Sequence, residues 1–161
     1  YDWRYNRENT PYKLECRIIT TGVSQSYFTP GLQDMDDRLN DICIILRSIG
    51  FNVELQKHRY DDKIPFGQSL EYLERNMATN KKDTAFEVKF FKNGNCHIKF
   101  RKDIMLALNV VAGRLLGWVT TPEQASEEMG ESLSDIQANW NKTDALKLTN
   151  KSTLIGLPHF E

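Results

Sequence analysis

Lys89, Phe91, Lys92, His97, Lys99 and Arg101 fall within residues 89–101. Cations beside a ring and an imidazole are what a nucleic-acid surface uses. The cations neutralise phosphates, the ring stacks on a base, and the histidine donates a hydrogen bond. The stretch FFKNGNCHIKF, residues 90–100, alternates apolar and polar residues on both sides of Asn93-Gly94. That pattern predicts a β-hairpin. A two-residue turn would set Phe90 against His97 and Val88 against Lys99, mixing apolar and charged residues on each face. A three-residue turn Lys92-Asn93-Gly94 sets Phe90 against Cys96, Val88 against Ile98 and Phe86 against Phe100, with Gly94 left-handed. This second register is the expected one. It leaves Glu87, Lys89, Phe91, His97, Lys99 and Arg101 on the outer face. Arg17, on an earlier strand, extends the patch. The plainer reading of such a face is a Lys- and Glu-rich surface kept for solubility.

The other constellations point less clearly to chemistry. A catalytic His97 needs an orienting partner, and Glu87 and Glu15 are the candidates on its face. His58 and His159 lie in unrelated segments. Asp34, Asp37 and Asp41 share a helical face, with Asp36 nearby. Nucleases usually take such carboxylates from strand ends, whereas acidic first turns ordinarily stabilise helices. No Walker loop, dinucleotide glycine loop, zincin motif, nucleophile elbow or Cys/His ligand spacing occurs. No catalytic residue, metal or cofactor is therefore expected. The short helices expected over residues 121–141 place Ser126, Met129, Gly130 and Ile136 at helix-turn-helix spacing. Glu131 breaks that pattern, and Glu123, Glu127, Glu128 and Asp135 would repel phosphates. Tyr1, Trp3, Arg4, Tyr5 and Arg7 have the composition of an interface anchor.

These residues need a scaffold. The 161 residues are 40% hydrophobic with a net charge of −1, enough for one domain with a true core and unlike a strongly basic nucleic-acid protein. Cys16, Cys43 and Cys96 lie in apolar patterns and read as reduced core thiols. No signal peptide or membrane-length apolar run appears, which points to the cytoplasm. The chain begins without methionine, as a piece of a longer protein would. Leu14–Thr21 alternates as a strand. Thr29-Pro30 reads as a helix start, followed by Leu32, Met35, Leu39, Ile42, Leu46 and Ile49 at helical spacing and a stop at Gly50. Phe51, Val53 and Leu55 predict a second strand. Residues 58–66 predict a loop, and Phe66, Leu70, Leu73 and Met77 a short helix. A turn at residues 80–83 precedes the hairpin. Asp103 is expected to cap a helix with Ile104, Leu108, Val111 and Leu115 inward and Gly117 at its end. Thr121-Pro122-Glu123-Gln124 is a capping box, with a helix running to Met129 and a second from near Ser134 that buries Ile136 and Trp140. Leu146, Leu148, Leu154, Ile155 and Leu157 anchor a surface-wrapping tail. The expected fold is α+β: a mostly antiparallel sheet of about four strands, covered on one face by helices, with a small C-terminal helical hairpin. Residues 1–120 are expected to form the α+β core domain, and 121–161 a helical-hairpin appendage and surface-wrapping tail that belong to the same globular unit.

The blocks DWRYNRENTPYKLECRIIT, DDRLNDICIILRSIG, FEVKFFKNGNCHIKF and RKDIMLALNVVAGRL resemble a bacterial domain-of-unknown-function family, four-nine-four-two. The specific part is a hairpin followed by a leucine/asparagine helix: Phe91, Lys92, Gly94, His97, Phe100 and Leu108-Asn109. The blocks span residues 2–118, and Pro122 to Trp140 resembles the tail of longer members. The resemblance implies a mobile-element setting: genomic islands beside toxin–antitoxin genes, and phage or conjugative-element proteins, sometimes C-terminal to a methyltransferase domain. It implies no activity. The expected function is a non-catalytic module that binds nucleic acid through Arg17, Lys89, Phe91, Lys92, His97, Lys99 and Arg101. The alternatives are a protein-interaction module, inhibitor- or antitoxin-like, and a small nuclease or transferase using His97 and carboxylates.

Overall fold

The computed structural model describes residues 13–21, 32–58, 64–142 and 144, without the side chains of 32–34. The elements are β1 (Arg17–Thr20), α1 (Leu32–Ser48), β2 (Ser69–Arg75), β3 (Lys82–Phe90), β4 (Cys96–Phe100), α2 (Lys102–Leu115), α3 (Pro122–Met129) and α4 (Leu133–Trp140). They fall into two compact units. One is Glu15–Met105, and the other gathers Lys13 and Leu14 with the described residues from Leu106 onward.

In the first unit the strands form one antiparallel sheet in the order β1-β4-β3-β2. The hairpin adopts the three-residue-turn register: Phe90 pairs with Cys96, Val88 with Ile98 and Phe86 with Phe100. Gly94 sits at φ 79°, where a side chain would be strained. Tyr72, Phe86, Val88, Phe90, Cys96, Ile98 and Phe100 are buried on the inner face. Tyr72 stacks on Phe86 with centroids 4.4 Å apart, and Phe86 meets Phe100 at 5.4 Å. α1 adds Met35, Leu39, Cys43 and Leu46 to the core, and Ile49 joins them just past its end. Cys43, rather than half-buried Ile42, takes the central place on its buried stripe.

Two expected elements differ. Residues 66–77 hold β2, not a helix. The alternation of Leu70 and Tyr72 wins over the helical spacing of Leu70, Leu73 and Met77 because it sinks Tyr72 completely, whereas Met77 is 78% exposed. A bulge between Tyr72 and Leu73, opposite Ala85, shifts the register there. Phe51–Gln56 is extended but makes a single bridge, Val53 to Glu74. One edge reaches β2, with Glu54 N donating to Leu73 O at 2.8 Å and Arg75 N to Asn52 O at 3.0 Å. The other edge meets side chains of α1. Arg47 Nε donates to Val53 O at 2.6 Å and Cys43 Sγ to Glu54 O at 3.8 Å. Asn40 Nδ2 donates to Gln56 O at 2.9 Å, while Gln56 N donates to Asn40 Oδ1 at 3.2 Å. Asp36 Oδ2 accepts from His58 N at 2.8 Å. Side chains at helical spacing thus satisfy main-chain groups that a neighbouring strand would otherwise satisfy.

Smaller differences follow local chemistry. The β2–β3 turn spans Asn76–Lys81, earlier than expected. Asn76 Oδ1 accepts from Ala78 N and Thr79 N, and Asn80 has φ 54°. Asp103 lies in the first turn of α2, not at its cap, with its carboxylate on Arg101. Leu115 is exposed. Thr29-Pro30, the aromatic lead-in and the tail anchors lie outside the described residues.

The second unit is helical. Val110, Val119, Ala125, Met129 and Ile136 form its core, with Leu106 and Trp140 packed against it. Thr121 caps α3 by accepting from Gln124 N, Gln124 Oε1 accepts from Thr120 N, and left-handed Gly130 closes the helix. Ser132 caps α4. Buried Asn109 bonds Leu14 in both directions, at 2.8 and 3.0 Å. Lys13 reaches Met129 O and Glu131.

Candidate nucleic-acid interface

Strand pairing fixes two rows across the outer sheet face. The first reads Arg17, Lys99, Glu87, Glu71, and the second Ile19, His97, Lys89, Ser69. The cations of the first row lie over β1 and β4 and its acids over β3 and β2. Lys99 Nζ is 3.7 Å from Glu87 and remains 63% exposed. Glu87 also accepts from Ser69 Oγ at 3.1 Å. Phe91 and His97 touch, with ring centroids 4.3 Å apart and planes tilted by 43°. Ile19, 50% exposed, is the cross-strand neighbour of His97. An apolar and aromatic spot therefore borders Arg17, Lys89 and Lys99. Lys92 is exposed on the adjoining turn.

The electrostatics divide these residues. Burial first, then the Arg17 charge, holds His97 below the ordinary histidine value, so its neutral form is favoured on this face. Arg101 is committed elsewhere. It forms a fork with Asp103 at 2.6 and 2.8 Å and also pairs with Glu74. Those hydrogen bonds, Asp103 first and Glu74 after it, raise its pKa against the opposing effect of burial. Arg101 in turn holds the Asp103 carboxyl below its ordinary value. Arg101, Glu74, Asp83 and Asp103 line a depression of about 570 Å³. Three carboxylates around one cation give this hollow the wrong sign for phosphate.

Of the expected site residues, the fold brings together Arg17, Lys89, Phe91, His97 and Lys99, leaves Lys92 at the tip and places Arg101 in an ion-pair cluster. Among the described residues, the histidine with a carboxylate partner is His58, not His97: its Nδ1 lies 2.5 Å from Asp36 Oδ1. Asp36 follows Met35 and precedes Leu39 and Cys43 by three and seven positions, which puts it on the buried side of α1. That was the available signal. Among the described residues no group of three or more His, Cys, Asp or Glu side chains is placed to hold a metal ion, and no helix is long and apolar enough to cross a membrane.

The fold and face define an α+β domain whose four-stranded antiparallel sheet carries a mixed basic and aromatic outer surface. The chain belongs to the family DUF4942, a domain of unknown function, which matches residues 1–118. No curated protein and no solved structure matches the chain.

Proposed function

We propose that this chain is a nucleic-acid-binding module of a phage or mobile-element protein, working in the bacterial cytoplasm. The observation that carries the reading is the cross-strand register setting Arg17 beside Lys99 and His97 beside Lys89. Phosphates would lie over Arg17, Lys89, Lys92 and Lys99. A base would stack at the Phe91–His97 contact, with Ile19 at its edge. A sheet face of this kind suits unpaired bases, which expose their faces and edges, better than a duplex. Glu71 and Glu87 confine the path to the β1–β4 side. Polarisation of labelled single- and double-stranded DNA and RNA tests the reading on wild type and Lys89→Glu/Lys99→Glu. The reading expects single strands to bind best and the double variant, still folded, to lose binding. Absence of binding to every form at low salt would retire it.

The second reading is a protein-interaction module. It is favoured by exposed Leu115, Leu116, Trp118 and Leu133 on the helical unit, whose short helices are acidic. A stoichiometric protein complex indifferent to Lys89→Glu/Lys99→Glu would support it.

A further inference from the structure

The two edges of the sheet end differently. The outer edge of β2 receives the Phe51–Gln56 segment, whose main chain bonds Leu73 and Arg75. The other edge is β1. Cys16 O accepts from Phe100 N at 2.7 Å, in line with the pairing of Ile18 with Ile98 and Thr20 with Cys96. Antiparallel bonding alternates along a strand, so these even positions bond β4, and the N–H and C=O groups of Arg17 and Ile19 point away from the sheet. Among the described residues nothing meets those groups. The side chains of β1 are incompletely covered too. Ile18 is half-buried where its neighbour Ile98 is 5% exposed, and Ile19 is exposed on the opposite face. An open edge with apolar side chains on both faces is a template for another strand.

We propose that β1 pairs antiparallel with β1 of a second copy of this chain, and that the two copies pair on a nucleic-acid strand, a coupling that rests on the outer face binding nucleic acid as proposed above. β1 complements itself in one register. With Ile18 on the two-fold axis, the N–H and C=O of Arg17 bond those of Ile19 in the second copy, and the reverse, so every edge-facing group of both residues is satisfied. Ile18 meets its counterpart on the inner face. On the outer face the aliphatic stem of Arg17 lies against Ile19 of the second copy. Centring the pair on Arg17 would set like charges directly opposite. Centring it on Ile19 would send the Arg17 groups to Thr21, beyond the strand.

The same register joins the two outer faces. The row ending in Lys99 and Arg17 runs on into Ile19, His97 and Lys89 of the second copy, while Glu71 and Glu87 of each copy fall at the far ends. The basic surface then crosses five strand spacings, about 24 Å, from Lys89 to Lys89. The seam sets the two Arg17 side chains diagonally, about 7–8 Å apart. Their repulsion opposes pairing in the free chain, and a phosphate between them reverses that effect. A four-residue strand is also far shorter than a stable interface needs. Pairing is therefore coupled to the strand that both copies hold.

The test compares single-stranded DNA of about 6 nucleotides, enough for one face, with about 24, enough for two, by polarisation and sedimentation of the full chain. The short strand is expected to take one copy. The long strand should take two, the second binding about tenfold more tightly than the first. Ile18→Lys sets two like charges on the axis. It should keep the short-strand affinity and lose the tenfold, as should Ile18→Glu, and an equimolar mixture of the two should recover it. If either variant misfolds, Ile18→Cys replaces it. Directly opposed positions of this kind bring Cβ atoms within disulfide reach. Oxidation should link two copies at position 18, located by peptide mass, on the long strand and not on the short one. Independent binding of the second copy, an Ile18→Lys protein that keeps the tenfold, or a link that forms equally on both strands overturns the pairing and leaves the outer-face reading standing. So does a long strand that takes one copy, which would leave the edge to a strand of another protein. Failure of both DNAs to bind at low salt overturns the outer-face reading and the pairing with it.

Discussion

His97 and Arg101 show how neighbours decide what a side chain can do. Both lie at the β4 end of a basic stretch, yet Arg17 and burial keep His97 toward neutrality while Asp103 and Glu74 keep Arg101 occupied. A phosphate set against His97 would favour its charged form, so binding takes up a proton. Affinity for a single strand should therefore rise as pH falls from 7.5 toward 6, and His97→Gln should flatten that dependence in a polarisation titration. Without ligand the sign is opposite. A histidine with a depressed folded pKa contributes stability above its unfolded value, and that stability is lost as pH falls through the folded value. Wild type should thus lose more stability than His97→Gln in acid. Arg101→Ala should cost about 1 kcal/mol, since its pairs are partly exposed, and leave strand affinity unchanged. Urea unfolding and polarisation on one preparation separate the two effects. Burial pushes the Cys43 and Cys96 thiols up to about 11, so a thiol reagent should label them only on unfolding.

At the scale of elements, the α1 ladder is the least ordinary feature. Asn40 alone satisfies both main-chain groups of Gln56. Asn40→Ala should cost about 1–3 kcal/mol, the penalty for groups left unpaired, read as a lower urea midpoint. The hairpin was legible in the sequence because period-two alternation on both arms admits one register with all apolar residues on one side. The long helix, the capping box and Gly130 were legible for similarly local reasons. β2 was not, because Leu70, Tyr72 and Leu73 satisfy both periods, and the choice rests on Phe86, which is distant in sequence. Nor was the Phe51–Gln56 segment: its alternation is real, but its second partner is a helix face, which leaves no period of its own. Asp36–His58 was hidden for the same reason. Its two residues lie in different segments, and Asp36, among Asp34 and Asp37 after a helix start, reads as first-turn charge.

For the whole molecule, a net charge of −1 argues against general adhesion to polyanions, so the proposed binding would have to come from one local arrangement. In the proposed reading Arg17, Lys89, Lys92 and Lys99 are that arrangement, on β1, β3, the hairpin turn and β4. The acidic short helices cannot substitute for them. The most direct measurement is the salt dependence of single-strand affinity. Four phosphate contacts predict a slope of log association constant against log salt of roughly −3, and Lys89→Glu/Lys99→Glu should cut it to about half or less. A slope near zero in wild type, or an equal slope in both proteins, would contradict the outer sheet face as the binding surface.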